Sequence, residues 1–546
     1  MSLDCWWHGG ITEVCRVPVI SAPCPHPATS SRRSQGIGGL VREAGFGCLV
    51  GCLARVFWAY GPHGPRRPRG PCTSTFPRAQ RSLRRVARAP GSEAEYLQRA
   101  WLFDAALAKV EATDAEGPRA VAVRAAALAG LERFAEGREA IQELKDDILL
   151  AAEAGIDVAE FLQHCDTLER QSQGDFAFSD VFGAMIEARE AGRGWTSALL
   201  PQVPEFTSPS VEVRSLAAGG RGLFAGALAA GDVVLCGLPL VCAPDAALVP
   251  ALREAADASD RVRGVLELLS DGSEKPVASL EQFCWRAPPE NAPKLEDEQL
   301  EEISRINGFE FFGSSAVFGA ASMSNHSCCP NAHSMAVGDA LFVRASRTIS
   351  EEEVHISYFD VLKPLRAREE RTQSWSFQCR CRRCEFERSM PAHLHDTASV
   401  DEVESAVAGL EPLEAGWLRA SHIVSYKEEL EALFPLGEEA MQKRAQLLRA
   451  MEVTDPGSFT HVKFAFLDWL GAKSVFGPED PATQQAMRYC DFVHQVRYGK
   501  VPGSALVSLL KRTQQAVQSV GVGEEFCHPT AAPEVSAEDG KTMLLD

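Results

Sequence analysis

Apolar residues between positions 93 and 192 recur at helical spacing, first in Tyr96, Leu97, Ala100 and Trp101 and again in Leu128, Leu131 and Phe134. Gly117-Pro118 breaks the run and predicts the end of one helix and the start of the next. From about 205 the period changes. Val211-Glu212-Val213-Arg214 alternates apolar with polar, as a half-buried strand does. Gly219-Gly220-Arg221-Gly222-Leu223-Phe224 and, after Gly231, Val233-Val234-Leu235 read as short strands joined by glycine turns. Residues 246–305 read as acidic helices with a loop at Pro288-Pro289, and 306–360 return to short β runs in Leu341-Phe342-Val343 and Val354-His355-Ile356-Ser357-Tyr358. A basic helix and a cysteine cluster follow over 361–388. Helical periodicity resumes over 395–520, with apolar faces at Leu430, Leu433, Phe434, Leu447 and Leu448. The fold class expected is α+β: a core of short strands holding a helical insert, with helices on either side.

A chain of 546 residues allows roughly three to four domains. The pattern divides it into an extension (1–92), a helical region (93–204), a β core (205–360, insert about 246–305), a cysteine loop (361–390), a second helical region (391–527) and a polar tail (528–546). Within the first helical region, Ala127-Leu128, Gly130-Leu131-Glu132-Arg133-Phe134-Ala135-Glu136-Gly137 and Ala140 suggest a tetratricopeptide-like hairpin, two or three units at most; a plain helical bundle meets the same pattern. The net charge of −19 is unevenly spread. Residues 1–90 carry 13 Arg, no Lys and 3 acids, a balance of +10 that leaves −29 on the rest. That extension is rich in Pro, Gly, Ser and Cys, and reads as disordered, as an Arg-rich targeting segment or as untranslated sequence. The acidic body argues against a nucleic-acid coat, and no specific nucleic-acid site stands out. No run of about 18 apolar residues occurs, so no membrane-spanning helix is expected.

Of the 17 cysteines, 11 are spread through the acidic body, unlike a small disulfide scaffold. The informative ones are local: Phe377-Gln378-Cys379-Arg380-Cys381-Arg382-Arg383-Cys384. Three thiols within six residues converge only through a tight loop, and a tetrahedral zinc ion is the usual reason for one. A fourth ligand must come from elsewhere, with Cys328 and Cys329 as candidates. Three reduced surface thiols are the bland alternative, and a zinc-dependent redox sensor a remote one.

Here the residues point to a family. Asn325-His326-Ser327-Cys328-Cys329-Pro330-Asn331 resembles the Asn-His-Ser-Cys-x-Pro-Asn box of SET-domain lysine methyltransferases. Gly220-Arg221-Gly222-Leu223-Phe224 resembles their first glycine-rich box, Ser357-Tyr358 their closing tyrosine box, and Cys-x-Cys-x-x-Cys their post-SET zinc loop. The four occur in the family's order. The layout is similar to the SET- and MYND-domain group and its tetratricopeptide-SET relatives, firmly over 208–388 and loosely over 93–192 and 395–520. Two features depart from it. Only Cys236, Cys242 and Cys284 lie between Gly222 and Asn307, so no MYND zinc module is expected. The usual Gly-Glu-Glu reads Glu351-Glu352-Glu353, and that turn is expected to be one residue short.

The resemblance implies a protein-lysine N-methyltransferase using S-adenosylmethionine, and a monomer acting on lysine-bearing proteins, histones among the candidates. A catalytically inactive binding scaffold is the alternative. Transfer from a sulfonium needs a neutral amine; lysine titrates near ~10.4, so a desolvated channel helps, and positioning can supply ~7–11 kcal/mol of the barrier. By position, Gly220, Arg221, Gly222, Asn307, Asn325 and His326 would hold the donor, Phe377 would pack on its adenine, and Tyr358 would orient the amine and methyl. Cys328, Cys379, Cys381 and Cys384 would bind Zn2+. Family habit implies cytoplasm or nucleus, whereas the Arg-rich extension suits an organelle.

Overall fold

The computed structural model describes residues 94–499 apart from internal stretches, the longest of them 146–156, 178–199, 285–291 and 423–437. The extension over 1–92, the tail over 528–546, the Pro288-Pro289 loop and the face at Leu430, Leu433 and Phe434 lie outside the described residues. The architecture is α+β, as the periodicity predicts.

Among the described residues four N-terminal helices come first: α1 (Phe103–Ala112), α2 (Pro118–Gly130), α3 (Phe134–Gln142) and α4 (Val158–Gln171). Pro118 starts α2 at the first turn, where its missing N–H costs nothing. Asp157 caps α4 by accepting from the N–H groups of Ala159 and Glu160. The small residues let helices approach closely: a Cβ on Gly137 would lie 3.0 Å from the Ala125 carbonyl oxygen of α2, and one on Gly130 would strike the Phe103 ring of α1.

Twelve strands are described, in four small sheets. The largest orders β1 (Phe206–Thr207), β4 (Val233–Gly237), β10 (Ala340–Ala345) and β9 (Ala332–Val337), all antiparallel. The second places β3 (Arg221–Leu228) between β2 (Val211–Ser215) and β11 (Ile349–Glu353). The third places β7 (Ser314–Phe318) between β5 (Pro239–Ala243) and β6 (Gly308–Phe311). The last is a parallel pair, β8 (Asn325–His326) with β12 (His355–Ile356). Between β5 and β6 run the insert helices α5 (Leu248–Ala258), α6 (Asp260–Leu268) and α7 (Asp297–Asn307). Leu223, Leu235, Leu252, Val265, Val317, Leu341 and Ile356 are buried in one apolar core that also takes Leu128, Phe134 and Leu168 from the N-terminal helices. Each such side chain contributes ~1.5–3 kcal/mol on burial. Polar ties fix the insert: Ser259 caps α6 and also donates to Asp104 of α1 at 2.8 Å, and the buried Arg261 pairs with Glu205 at 2.7 Å.

Past the β core come α8 (Leu365–Gln373), α9 (Arg382–Ser389), α10 (Val400–Val407), α11 (Pro412–Ala420), α12 (Glu438–Thr454), α13 (Phe459–Phe476) and α14 (Pro481–Tyr498). α13 and α14 form a hairpin turned at Gly477, whose φ is +88°. The end of α14 seats on the β core, where a Cβ on Gly231 would lie 3.0 Å from the Gln495 carbonyl oxygen.

The altered turn at 351 does not disturb the strand pairing. β11 pairs with β3 without a register shift, Ser350 opposite Ala227 and Glu352 opposite Ala225. Glu351 takes φ +50°, the left-handed conformation a glycine would adopt freely. Its carboxylate has only a loose exposed pairing with Arg214, at 3.8 Å. Glu351→Gly is therefore expected to stabilise the fold by about 1 kcal/mol, seen as a higher urea midpoint at unchanged slope; an unchanged midpoint would show the strain to be absent. A second expectation concerns Asp455, after α12. Burial and then nearby Asp360 push its carboxyl up to about 6. The folded chain holds this proton more tightly than the unfolded one, so the stabilisation is complete below about pH 4 and is lost as pH rises through about 6. Asp455→Asn should then raise unfolding free energy by about 2–3 kcal/mol at pH 7.5 and hardly at all at pH 4. Equal gains at both pH values, in urea titrations, would refute this.

Candidate active site and metal centre

The parallel β8–β12 pair sets the site. It aligns His355 with Asn325 and Ile356 with His326, and Ser327 N–H donates to the Ile356 carbonyl at 3.0 Å. Two residues past β12, Tyr358 comes to lie over His326. The Tyr358 N–H donates to His326 Nδ1 at 3.1 Å, and its hydroxyl donates to the Ser324 carbonyl at 2.8 Å. The buried Asn331 locks the closing strand: its Nδ2 donates to the Glu353 carbonyl at 2.8 Å and its Oδ1 accepts the His355 N–H at 2.7 Å. Burial, with Glu353 adding to it, pushes the Tyr358 phenol above its ordinary value, so it stays protonated at neutral pH.

The glycine-rich turn meets the same locus. Gly219 and Gly220 have φ of +89° and +85°, and a side chain there would meet nothing within 4 Å. Gly222 is constrained differently, since a Cβ would strike Glu353 Oε1 and lie 2.8 Å from Asn325 Nδ2. That amide donates to the Arg221 carbonyl at 2.8 Å and to Glu353 Oε1 at 2.7 Å. Burial works to raise the Glu353 carboxyl, but hydrogen bonds from His355 and Asn325 outweigh it and keep the group ionised. The Arg221 side chain reaches the insert, donating to the carbonyls of Leu268 at 2.6 Å and Pro276 at 2.9 Å. Asn307, buried at the end of α7, donates to the carbonyls of Ser270 at 2.7 Å and Ile303 at 2.9 Å. Arg221 and Asn307 thus hold the Leu268–Pro276 segment from two sides.

An aromatic wall closes the locus. Tyr358 lies 5.7 Å from Trp375 and 6.4 Å from Phe377 between ring centroids, and Phe377 lies 5.9 Å from His326. Ser324 Oγ and Trp375 Nε1 are buried here with no hydrogen-bond partner.

Cys328, Cys379, Cys381 and Cys384 converge, with all four sulfurs within 4.8 Å of one another. Among the described residues this is the one group of three or more His, Cys, Asp or Glu whose ligand atoms meet in this way. A tetrahedron with Zn–S near ~2.3 Å has S···S edges of about 3.8 Å, so the set has the reach and the softness for zinc. Hydrogen bonds from Cys328, Cys329, Cys379 and Cys384 lower the Cys381 thiol well below its ordinary value. Buried cations stand around the set. Arg368 donates to Cys384 Sγ at 3.1 Å and pairs with Glu387. Arg383 pairs with Glu387 at 2.8 Å and donates to the carbonyls of Cys328 at 3.2 Å and Val361 at 2.6 Å. Arg388 donates to the Cys379 carbonyl at 2.7 Å. Although burial works against it, the charges on Cys328 and Glu387 hold the Arg368 guanidinium above its ordinary value.

Most of the residues singled out in the sequence have places here; a side chain at Gly220 would meet nothing within 4 Å, and Cys329 stands outside the four-sulfur group. Asn325, His326, Tyr358 and Phe377 share one locus, Gly222 and Arg221 join it through Asn325, and Asn307 joins through the insert segment it shares with Arg221. Sequence reasoning passed over Asn331, Trp375 and the Arg368–Glu387–Arg383 network. The first two stood inside or beside quoted motifs. The network had a weaker trace, the i, i+4 spacing of Arg383 and Glu387.

No family model matches the chain. Over 148 residues it is 32% identical to the N-lysine methyltransferase SMYD2-B of Xenopus laevis and 31% identical to the N-lysine methyltransferase SMYD2 of Homo sapiens, covering 26% of this chain and 32% of each relative. Over 107 residues it is 34% identical to the histone-lysine N-methyltransferase ATXR2 of Arabidopsis thaliana, covering 17% of this chain and 23% of that one. The chain thus spans about a third or less of these curated relatives, and over that span it is similar to lysine methyltransferases. No described helix is long and apolar enough to cross a membrane.

The convergence of the sulfurs generates an expectation. The purified chain should carry one zinc ion per molecule by atomic emission, and Cys384→Ser should weaken its retention against a chelator by at least about 100-fold. Wild-type protein that neither carries nor takes up zinc would refute it.

Proposed function

We propose that the chain is an S-adenosylmethionine-dependent protein-lysine N-methyltransferase with a SET-type core. The observation that carries this is the meeting of the Asn325-His326 strand, Tyr358 and the four sulfurs at one locus. Local identity to lysine methyltransferases supports the same reading.

The residues fit both groups the reaction requires. Zinc joined to four thiolates would be a closed structural centre with no position left for water. We assign it to Cys328, Cys379, Cys381 and Cys384, which would pin the loop after α8 to the Asn-His segment. Bound S-adenosylmethionine would supply an electrophilic methyl carbon on a sulfonium, open to in-line attack by an amine. The fit for this polar donor rests on Ser324 Oγ and Trp375 Nε1, buried without partners, and on the open side of Gly220. Gly220, Arg221 and Gly222 would present backbone to its amino-acid part. Asn325 and Asn307 have their amide N–H groups engaged within the fold, so what they offer a ligand is oxygen and backbone. Phe377 would pack on the adenine, beside the backbone of His326.

The chain's own part in the chemistry is exclusion and orientation. His326, Tyr358, Trp375 and Phe377 make an aromatic surround that strips water from an entering lysine and favours its neutral form. The Tyr358 hydroxyl keeps its proton and donates it to the Ser324 carbonyl, which leaves its lone pairs free; with donor and lysine bound, they would serve the methyl and amine through weak C–H···O contacts and a fixed dipole. The N-terminal hairpins, which we take as tetratricopeptide-like, and the C-terminal helices would flank a groove for the protein substrate. The inactive-scaffold alternative leaned on the altered turn before Tyr358, and β11 keeps its register through Glu351.

Transfer of a labelled methyl group onto lysine in a proteome extract tests the activity. Absence of S-adenosylmethionine binding by zinc-loaded protein would sink it. Tyr358→Phe is expected to lower kcat about 100-fold while the donor Kd changes less than about threefold. Unchanged turnover would remove Tyr358 from the role assigned here.

A further inference from the structure

The His326 side chain spans two parts of the site. Nδ1 accepts the Tyr358 N–H at 3.1 Å, so that nitrogen carries no proton. The ring proton is then on Nε2, which faces Cys328 Sγ at 3.2 Å. The ring is 8% exposed and packed, its centroid 4.6 Å from Phe359, 5.3 Å from Tyr358 and 5.9 Å from Phe377. Packing leaves it little freedom to rotate, so the two hydrogen bonds are made together or lost together.

The two ends do different work. At the sulfur, an N–H donor withdraws charge from the thiolate and fixes its direction toward a metal. At Tyr358, the ring holds the peptide plane that launches the side chain, while Ser324 holds the hydroxyl at the far end at 2.8 Å.

We propose that His326 is a positioning residue that transmits the geometry of the metal centre to Tyr358, through the Nε2–H···Sγ bond to Cys328 and the Tyr358 N–H···Nδ1 bond. This rests on the reading of Tyr358 and the four thiols given above, and its test has arms independent of turnover.

The full chain is used in three forms: wild type, His326→Phe, which keeps a packed ring without donor or acceptor, and His326→Gln, which keeps an N–H within reach of the sulfur. Cobalt(II) replaces zinc for spectroscopy, zinc retention is read by competition with a chromophoric chelator, and amide exchange is read over residues 354–361. In His326→Phe the sulfur-to-cobalt charge-transfer bands should shift and zinc retention should fall about 10-fold or more. The Tyr358 amide should exchange quickly even with zinc bound, and kcat should fall more than KM changes. His326→Gln should regain most of the metal retention. A His326→Phe protein with wild-type cobalt bands and retention, or with a still-protected Tyr358 amide, overturns the inference. Should His326→Phe not fold, His326→Gln decides alone: its cobalt bands should stay near those of wild type while Tyr358 loses protection, and any other pairing counts against the proposal. A wild-type chain that binds zinc but transfers no methyl group fails the enzymatic reading only, because the metal and exchange arms still decide this one.

Discussion

Four sulfurs from two distant stretches must occupy one small volume, and the candidate site depends on that constraint. The loop from Ser374 to Cys381 has neither sheet partners nor helix to hold it, and its cluster of buried residues is small: Cys328, Phe359, Val361, Leu365, Trp375, Cys379 and Cys384. A core of that size contributes little by apolar burial alone. Convergence of Cys379, Cys381 and Cys384 on Cys328 fixes Phe377 and Trp375 as a by-product, since both lie within four residues of Cys379. The aromatic wall and the Asn325-His326 strand are thereby referred to a common origin.

A buried charge network extends that origin outward. Four thiolates holding a divalent ion would carry a net charge of −2, which is costly inside a protein unless cations stand near. Arg368 and Arg383 supply them, and Glu387 sets their directions. Ser421, just past α11, donates to Glu387 at 3.1 Å and accepts from Arg383 at 3.3 Å, so the second helical region touches the network directly. Because all three charged side chains are almost fully buried, removal of one would leave an uncompensated charge, at a cost of ~3–5 kcal/mol. Such a network sets geometry more than it adds stability.

Much of this was legible in the sequence, for stated reasons. The alternation of Val211 to Arg214 showed a strand because side chains in a sheet alternate faces, and β2 spans Val211–Ser215. Cys-x-Cys-x-x-Cys showed a tight loop of converging thiols, and the three sulfurs do meet, with Cys328 as the fourth. Gly222 was legible as a glycine but not for its packing reason, because Glu353, the side chain it must avoid, lies 131 positions away. Arg221 read as a backbone contact, while its guanidinium grips carbonyls at Leu268 and Pro276 that no local pattern could announce. Glu351 read as a missing glycine, and the chain accepts the strained left-handed conformation at that residue without losing its pairing with β3. What periodicity carries is local. What it misses is which distant carbonyl or carboxylate meets a given side chain.

The parallel β8–β12 pair has a kinetic corollary. It is two residues long on each side, joins positions thirty apart, and takes its support from Asn331 and from Ile356 in the main core. So small a ladder offers few bonds for the loop it closes, and it forms only when the sheets around it have already assembled. The candidate locus is then expected to complete late on the folding route, outside the rate-limiting nucleus. Substitutions within it shorten the lifetime of the native state while hardly slowing its formation.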